Sequence, residues 1–187
     1  YFNTFNAKYA WVEAPKSIFR FGFGDFIKRS ELALQHKNHP IIIPGPDGKE
    51  KRTCRVTEWI GHKDRAQYYD LVFAPGEPAI TRNNEINTWT GFSIDPVQGS
   101  IEPYVALRDH LFPDLSERRY VEQWLAHKLK YPGVKMNTAL MVWSAAEGVG
   151  KNLFFETIKE IIGAKHACVI GQKDLMANFN PWVSIAE

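Results

Sequence analysis

The chain has 187 residues, 44% of them hydrophobic and 24% charged, a balance that excludes a disordered or collagen-like polypeptide and suffices for a buried core. With 23 basic and 21 acidic residues the net charge is +2, so bulk electrostatics selects neither nucleic acid nor membrane, and any such surface must be local. Two cysteines, Cys54 and Cys168, exclude a disulfide scaffold and fit a reducing cytoplasm. No apolar run approaches the roughly 20 residues of a membrane-spanning helix, and residues 1–8 lack the order of a signal peptide. Tyr1 in place of a starting Met, and a last segment that stops without a turn, predict a piece of a longer polypeptide.

Residues 1–96 are rich in aromatics, Gly and Pro, with short apolar runs at 9–12, 18–23, 41–43 and 71–73 that predict strands between turns. Pro44-Gly45-Pro46-Asp47-Gly48-Lys49 carries the turn residues of a hairpin between 41–43 and 53–56. Residues 25–36 are the one helical candidate of this region, and Phe19, Phe21, Phe23 and Phe26 are expected in the core. His36 and His39, three apart with Pro40 following, read as a surface loop and not as metal ligands. Lys49, Lys51, Arg52, Arg55, Lys63 and Arg65 interleave with Trp59, Tyr68 and Tyr69, a mixture suited to phosphates and stacked bases, or to a plain solvated face. Arg52 and Arg55 are its candidate nucleic-acid contacts.

Beyond Pro96 the texture becomes helical, with a subdomain expected over residues 97–135. Residues 102–112 predict a short helix stopped by Pro113, and Asp114-Leu115-Ser116-Glu117 is a capping box opening a second helix. That helix places Val121, Trp124, Leu125 and Leu129 on one face and ends at Tyr131-Pro132-Gly133.

The third region, residues 136–187, opens with the continuous apolar run Ala139-Leu140-Met141-Val142-Trp143, the pattern of a strand buried on both faces of a parallel sheet. Ser144-Ala145-Ala146-Glu147-Gly148-Val149-Gly150-Lys151-Asn152 follows, then a helical pattern over 153–162 stopped by Gly163. Gly148 and Gly150 permit backbone N–H groups to turn inward around a phosphate, the new helix presents its positive end, and Lys151 reaches toward the β- and γ-phosphates. Glu147, Gly148, Val149, Gly150, Lys151, Asn152 and Leu153 form the candidate nucleotide site. Ala145 replaces the first Gly of G-x-x-x-x-G-K-[ST], and Asn152 stands where a hydroxyl would hold Mg²⁺, offering an amide oxygen to the metal or its water instead. A plain strand-to-helix turn with a solvent-facing lysine is the alternative. Cys168, in Ala167-Cys168-Val169-Ile170, is expected in a core strand.

Four segments occur in an order that resembles phage and prophage primase-helicases with a superfamily 3 helicase domain, related to the poxvirus type. They are Asn87-Thr88-Trp89-Thr90-Gly91-Phe92, Val121-Glu122-Gln123-Trp124-Leu125-Ala126, Glu147 to Phe155, and Asn178-Phe179-Asn180, with Phe73-Ala74-Pro75 upstream. The resemblance implies a mixed α/β fold: a strand-rich N-terminal region, a small helical subdomain and the opening of an AAA+-like P-loop ATPase core. It further implies ATP and Mg²⁺ as ligands, a homo-oligomeric ring, usually a hexamer, movement along single-stranded DNA during replication, and a primase-polymerase domain in the same polypeptide. The setting would be the cytoplasm of a bacterial host. The family's acidic strand, sensor asparagine and arginine finger have no counterpart in this sequence, and neither Glu187 nor Asp174 is promoted to those roles. The segment is therefore expected to bind nucleotide without turning it over by itself. Two other classes fit the loop: a degenerate nucleotide-binding or oligomerisation module that positions DNA, and a small-molecule P-loop kinase. Kinases commonly carry the loop near their start, whereas 137 residues precede Thr138 here.

Overall fold

The computed structural model describes residues 1–45 and 48–177. The fold is mixed α/β, and the chain divides into two compact units, residues 1–88 and 89–187.

The first unit opens with helix α1 (Phe2–Lys8), followed by strands β1 (Tyr9–Val12), β2 (Ser17–Arg20) and β3 (Asp25–Ile27). With β6 (Gln67–Tyr68) these form a sheet of order β3-β2-β1-β6, antiparallel except where β6 runs alongside β1. Side chains alternate across the pleat, so Ile18 and Ile27 face one side and Ala10, Val12 and Phe19 the other. Helices α2 (Arg29–Gln35) and α3 (Arg55–Gly61) cover the first side, where Phe5, Ile18, Ile27, Leu32, Val56 and Trp59 form one core cluster. Strands β7 (Leu71–Val72) and β8 (Ile86–Asn87) belong to the second cluster's side, with Ile86 packed among Ala10, Val12 and Phe19. Asn6 joins distant segments: its side-chain oxygen accepts from the Trp59 indole and the Ala66 N–H, both at 2.8 Å. The hairpin strands β4 (Ile41–Pro44) and β5 (Glu50–Thr53) pair only with each other among the described residues.

Several expectations for this unit change. Residues 25–27 are a strand, because the Arg20–Asp25 ion pair and the Phe19–Phe26 register zip them onto β2. Helices α1 and α3, each 7 residues long, carry too few turns to show a periodic signal and are held by tertiary burial of Phe5, Val56 and Trp59. The second hairpin strand is 50–53, since 55 onward is helical; Pro46 and Asp47 of its turn lie outside the described residues. Phe19 is core, yet Phe23 is 75% exposed at the β2–β3 turn, where the Arg20 guanidinium sits 4.2 Å from its ring centre. Residues 36–39 are a turn with Lys37, Asn38 and His39 exposed, as expected, but the His36 ring is half-buried, packed against Phe5 and within 3.4 Å of the Tyr9 hydroxyl.

The second unit contains helices α4 (Glu102–Leu111), α5 (Leu115–Lys130), α6 (Lys151–Ile162) and α7 (Gln172–Leu175). Asp114 caps α5, its carboxylate accepting from the N–H groups of Ser116 and Glu117 at 2.8 and 3.0 Å. Arg108 of α4 pairs with Asp109 and reaches Glu122 of α5, joining the two helices. Phe112, Val121, Leu125 and Phe154 form the core, joined by Leu107, Leu140 and Val142.

The run 139–143 differs from its expected form. It has no ladder partner among the described residues, and its burial alternates: Leu140 and Val142 pack on the Phe154 core while Met141 and Trp143 are 95% and 82% exposed. Burial on both faces is supplied by flanking strands, which an apolar run calls for but does not itself provide. Cys168 is exposed and outside any strand, as is Val169 beside it, so the apolar flanks of 167–170 are not paired into a sheet among the described residues. Asn178, Phe179, Asn180 and Glu187 lie outside the described residues.

Candidate functional site: a glycine loop at the start of helix α6

Helix α6 begins abruptly. Gly150 is its N-cap, with a left-handed backbone (φ 96°, ψ 7°), and Lys151 is the first helical residue. A β-carbon at Gly150 would stand 2.7 Å from Cδ1 of Leu107, so this position requires glycine both for its dihedral and for the close approach of α4. Gly148, two residues earlier, is also left-handed at φ 72°. Two left-handed residues thus stand within three positions, the kind of backbone from which anion-binding nests are built.

The first turn of α6 contains no acidic residue, and no side chain among those described caps its N–H groups. Those donors and the positive end of the helix dipole are thus left to solvent or to an anion. Lys151 completes the charge: its ammonium donates to the hydroxyl of Ser144, which in turn donates to the carbonyl of Ala146 at 2.7 Å. This relay ties the Lys151 side chain back to the residue that opens the loop.

The flanking residues are placed less uniformly. Glu147, Gly148, Asn152 and Leu153 are exposed, while Val149, Gly150 and Lys151 are half-buried. Asn152, the candidate metal position, presents one neutral amide, and no group of three or more His, Cys, Asp or Glu able to hold a metal occurs among the described residues. Asp174 accepts from the Gly171 N–H at 2.9 Å in α7, a local capping role.

Both ends of α6 are fixed by sequence-distant segments. At the start, Leu107 abuts Gly150 and the ring of Tyr104 stacks on Phe154 with centres 5.4 Å apart. At the end, Ser93 donates its N–H to the Ile161 carbonyl at 3.1 Å and its hydroxyl to that of Glu160, capping carbonyls that the helix leaves unpaired. Trp89 packs on Phe92 and His166, so the Trp-Thr-Gly-Phe-Ser segment clamps the tail of the loop's own helix. Asn87, 6% exposed, has a separate role: its amide donates to the carbonyls of Ala74, Glu77 and Pro78 and accepts from the Ala74 N–H. These bonds tie the 73–78 segment to Asn87.

The nucleic-acid candidates belong to the first unit. Arg52 is exposed on β5, where it and Lys37 line a shallow groove of about 420 Å³ floored by Leu34, Pro40 and Cys54. Arg55 opens α3 half-buried, and its Nε is buried without a hydrogen-bond partner among the described residues. It is less free than Arg52 to meet a phosphate. Sequence reasoning missed Ser144, Leu107 and Ser93 as supports of the loop; Ser144 alone carries a local signal, as the polar residue that ends the apolar run.

No known protein family and no curated protein matches the chain. Two solved structures do. "The apo structure of NrS-1 C terminal region (305-718)" is similar with a TM-score of 0.63 at 20% identity, over 93% of this chain and 39% of that one. "The A form apo structure of NrS-1 C terminal region-CTR" is similar with a TM-score of 0.57 at 21% identity, over 93% of this chain and 40% of that one. The chain thus shares their fold and spans about two fifths of their length.

Proposed function

We propose that this chain is part of a phage replication protein and that its glycine loop binds the phosphates of ATP with Mg²⁺, serving a superfamily 3 DNA helicase whose polypeptide also carries a primase-polymerase. The observation that carries this reading is the loop itself: a lysine tethered to Ser144, directly after two left-handed glycines, at a helix start free of acidic residues. The fold likeness to the NrS-1 C-terminal region supports the replication setting, together with the order of the sequence motifs.

In this reading the N–H groups at the start of α6 and the Lys151 ammonium neutralise the β- and γ-phosphates, and Lys151 is the catalytic lysine. Magnesium arrives on the nucleotide's own oxygens; Asn152 adds one amide oxygen, directly or through water. Carboxylates that position the attacking water come from outside this sequence. Single-stranded DNA is the polymer partner, with Arg52 a better placed phosphate contact than Arg55 in the first unit, and a hexameric ring is the working assembly. No helix among the described residues is long and apolar enough to cross a membrane, and the bacterial cytoplasm is the proposed setting.

The test is ATP hydrolysis by the full-length polypeptide to which this chain belongs, with and without single-stranded DNA, beside Lys151→Ala. DNA-stimulated turnover lost in the variant supports the helicase reading. Nucleotide binding without turnover favours a degenerate binding module, to which Ala145 and Asn152 point; phosphate transfer to a metabolite with no response to DNA favours a kinase.

A further inference from the structure

We propose that Ser144 is a positioning residue for Lys151: its hydroxyl sets where the ammonium stands, so that the cation is in place when a phosphate enters the loop. The proposal rests on the nucleotide reading of the loop above, and deepens it.

Three observations lead to it. The Lys151 ammonium has a side-chain acceptor, Ser144 Oγ, seven residues earlier at the end of the 139–143 run. The same hydroxyl is fixed in turn, because its own proton goes to the Ala146 carbonyl at 2.7 Å. A serine hydroxyl has one proton and two lone pairs, so donating to Ala146 leaves it an acceptor toward Lys151, and the direction of the relay is determined. The third observation is burial: Ser144 and Lys151 are each half-buried, whereas Ala145, Ala146, Glu147 and Gly148 between them are exposed. The contact therefore joins the two half-buried ends of a loop whose middle is exposed.

The consequence follows from the lysine side chain. Its four-carbon stem is flexible and its charge compact, so an untethered ammonium samples many positions, each lost when a phosphate captures it. A hydroxyl acceptor restricts that sampling without neutralising the charge, as a carboxylate would. Ser144 thus contributes through Lys151 and not through contact with the nucleotide, and its effect belongs to ligands whose phosphates reach the lysine. AMP, with no β- or γ-phosphate, is the internal control.

The experiment uses the full chain, as wild type, Ser144→Ala, Ser144→Thr and Lys151→Ala, with two readouts. The first is independent of nucleotide: the rate at which a water-soluble amine-acylating reagent modifies Lys151, followed by peptide mass spectrometry at fixed pH. Losing the acceptor frees the amine, so Ser144→Ala is expected to raise that rate several-fold while other lysines stay unchanged, and Ser144→Thr, which keeps the hydroxyl, restores it. The second is equilibrium binding of Mg·ATP and of AMP. Ser144→Ala is expected to weaken ATP about three- to tenfold, the order of one ordinary net hydrogen bond, with AMP unaffected and Ser144→Thr near wild type.

An unchanged Lys151 acylation rate in Ser144→Ala overturns the proposal, as does equal weakening of ATP and AMP, which would mark a general disturbance of the loop. Failure of the nucleotide reading looks different: Lys151→Ala binds ATP as wild type does, while the acylation result still reports on the Ser144–Lys151 contact.

Discussion

At Gly150 two independent demands fall on one atom that is missing. Its left-handed φ of 96° costs an L-residue about 1–2 kcal/mol, and an added β-carbon would lie 2.7 Å from Leu107 Cδ1. Gly150→Ala is therefore expected to lower the melting temperature and weaken ATP binding together. Leu107→Ala in the same chain should recover the steric part and leave the dihedral part, a coupling that a double-mutant cycle measures. Independent, additive effects of the two substitutions would contradict the contact. The glycines and Lys151 were legible in the sequence because the loop's requirements are local: spacing, charge and small size within seven residues. Leu107 and Ser93 were not, because each acts through a contact formed only when a distant segment packs on α6.

Among the elements, α5 shows how far local signals reach. Its start at Asp114 and its buried face of Val121 and Leu125 agree with the cap and periodicity read from the sequence, since both depend on neighbours within a few residues; of the capping box, the Asp114 half is formed. Hydrogen bonds from the Ser116 hydroxyl and from the N–H groups of Glu117 and Ser116 hold the Asp114 carboxyl below its ordinary value of 3.8. A depressed folded-state value means that the cap stabilises above that ordinary pH and fades as the pH falls through the depressed value. Wild type is thus expected to lose melting temperature between about pH 5 and pH 2 more steeply than Asp114→Asn, which keeps an acceptor but does not titrate. Parallel acid profiles for the two would remove Asp114 from the account. Elements whose form is decided by partners were read less well. The 139–143 run has the composition of a central strand, but only its Leu140 and Val142 side is covered among the described residues. Helix α3 was hidden for the opposite reason: its 7 residues hold Val56 and Trp59 at no measurable exposure, yet span barely two turns.

The molecule as a whole is two units, and among the described residues each contains its own apolar clusters: two in residues 1–88, around Trp59 and around Phe19, and one in residues 89–177, around Phe154. Residues 1–88 expressed alone are expected to unfold in a single cooperative urea transition seen by tryptophan fluorescence, because Trp59 and its Asn6 partner are both within the unit. A gradual, non-cooperative change would show that this unit depends on the second. The mixed α/β class implied by the resemblance agrees with the fold shared with the NrS-1 C-terminal region. The central claim, that this fold presents a phosphate site at the start of α6, is tested most directly by equilibrium binding of Mg·ATP to the full chain and to Lys151→Ala. The account predicts saturable binding that falls at least tenfold in the variant, and equal affinity in the two proteins would contradict it.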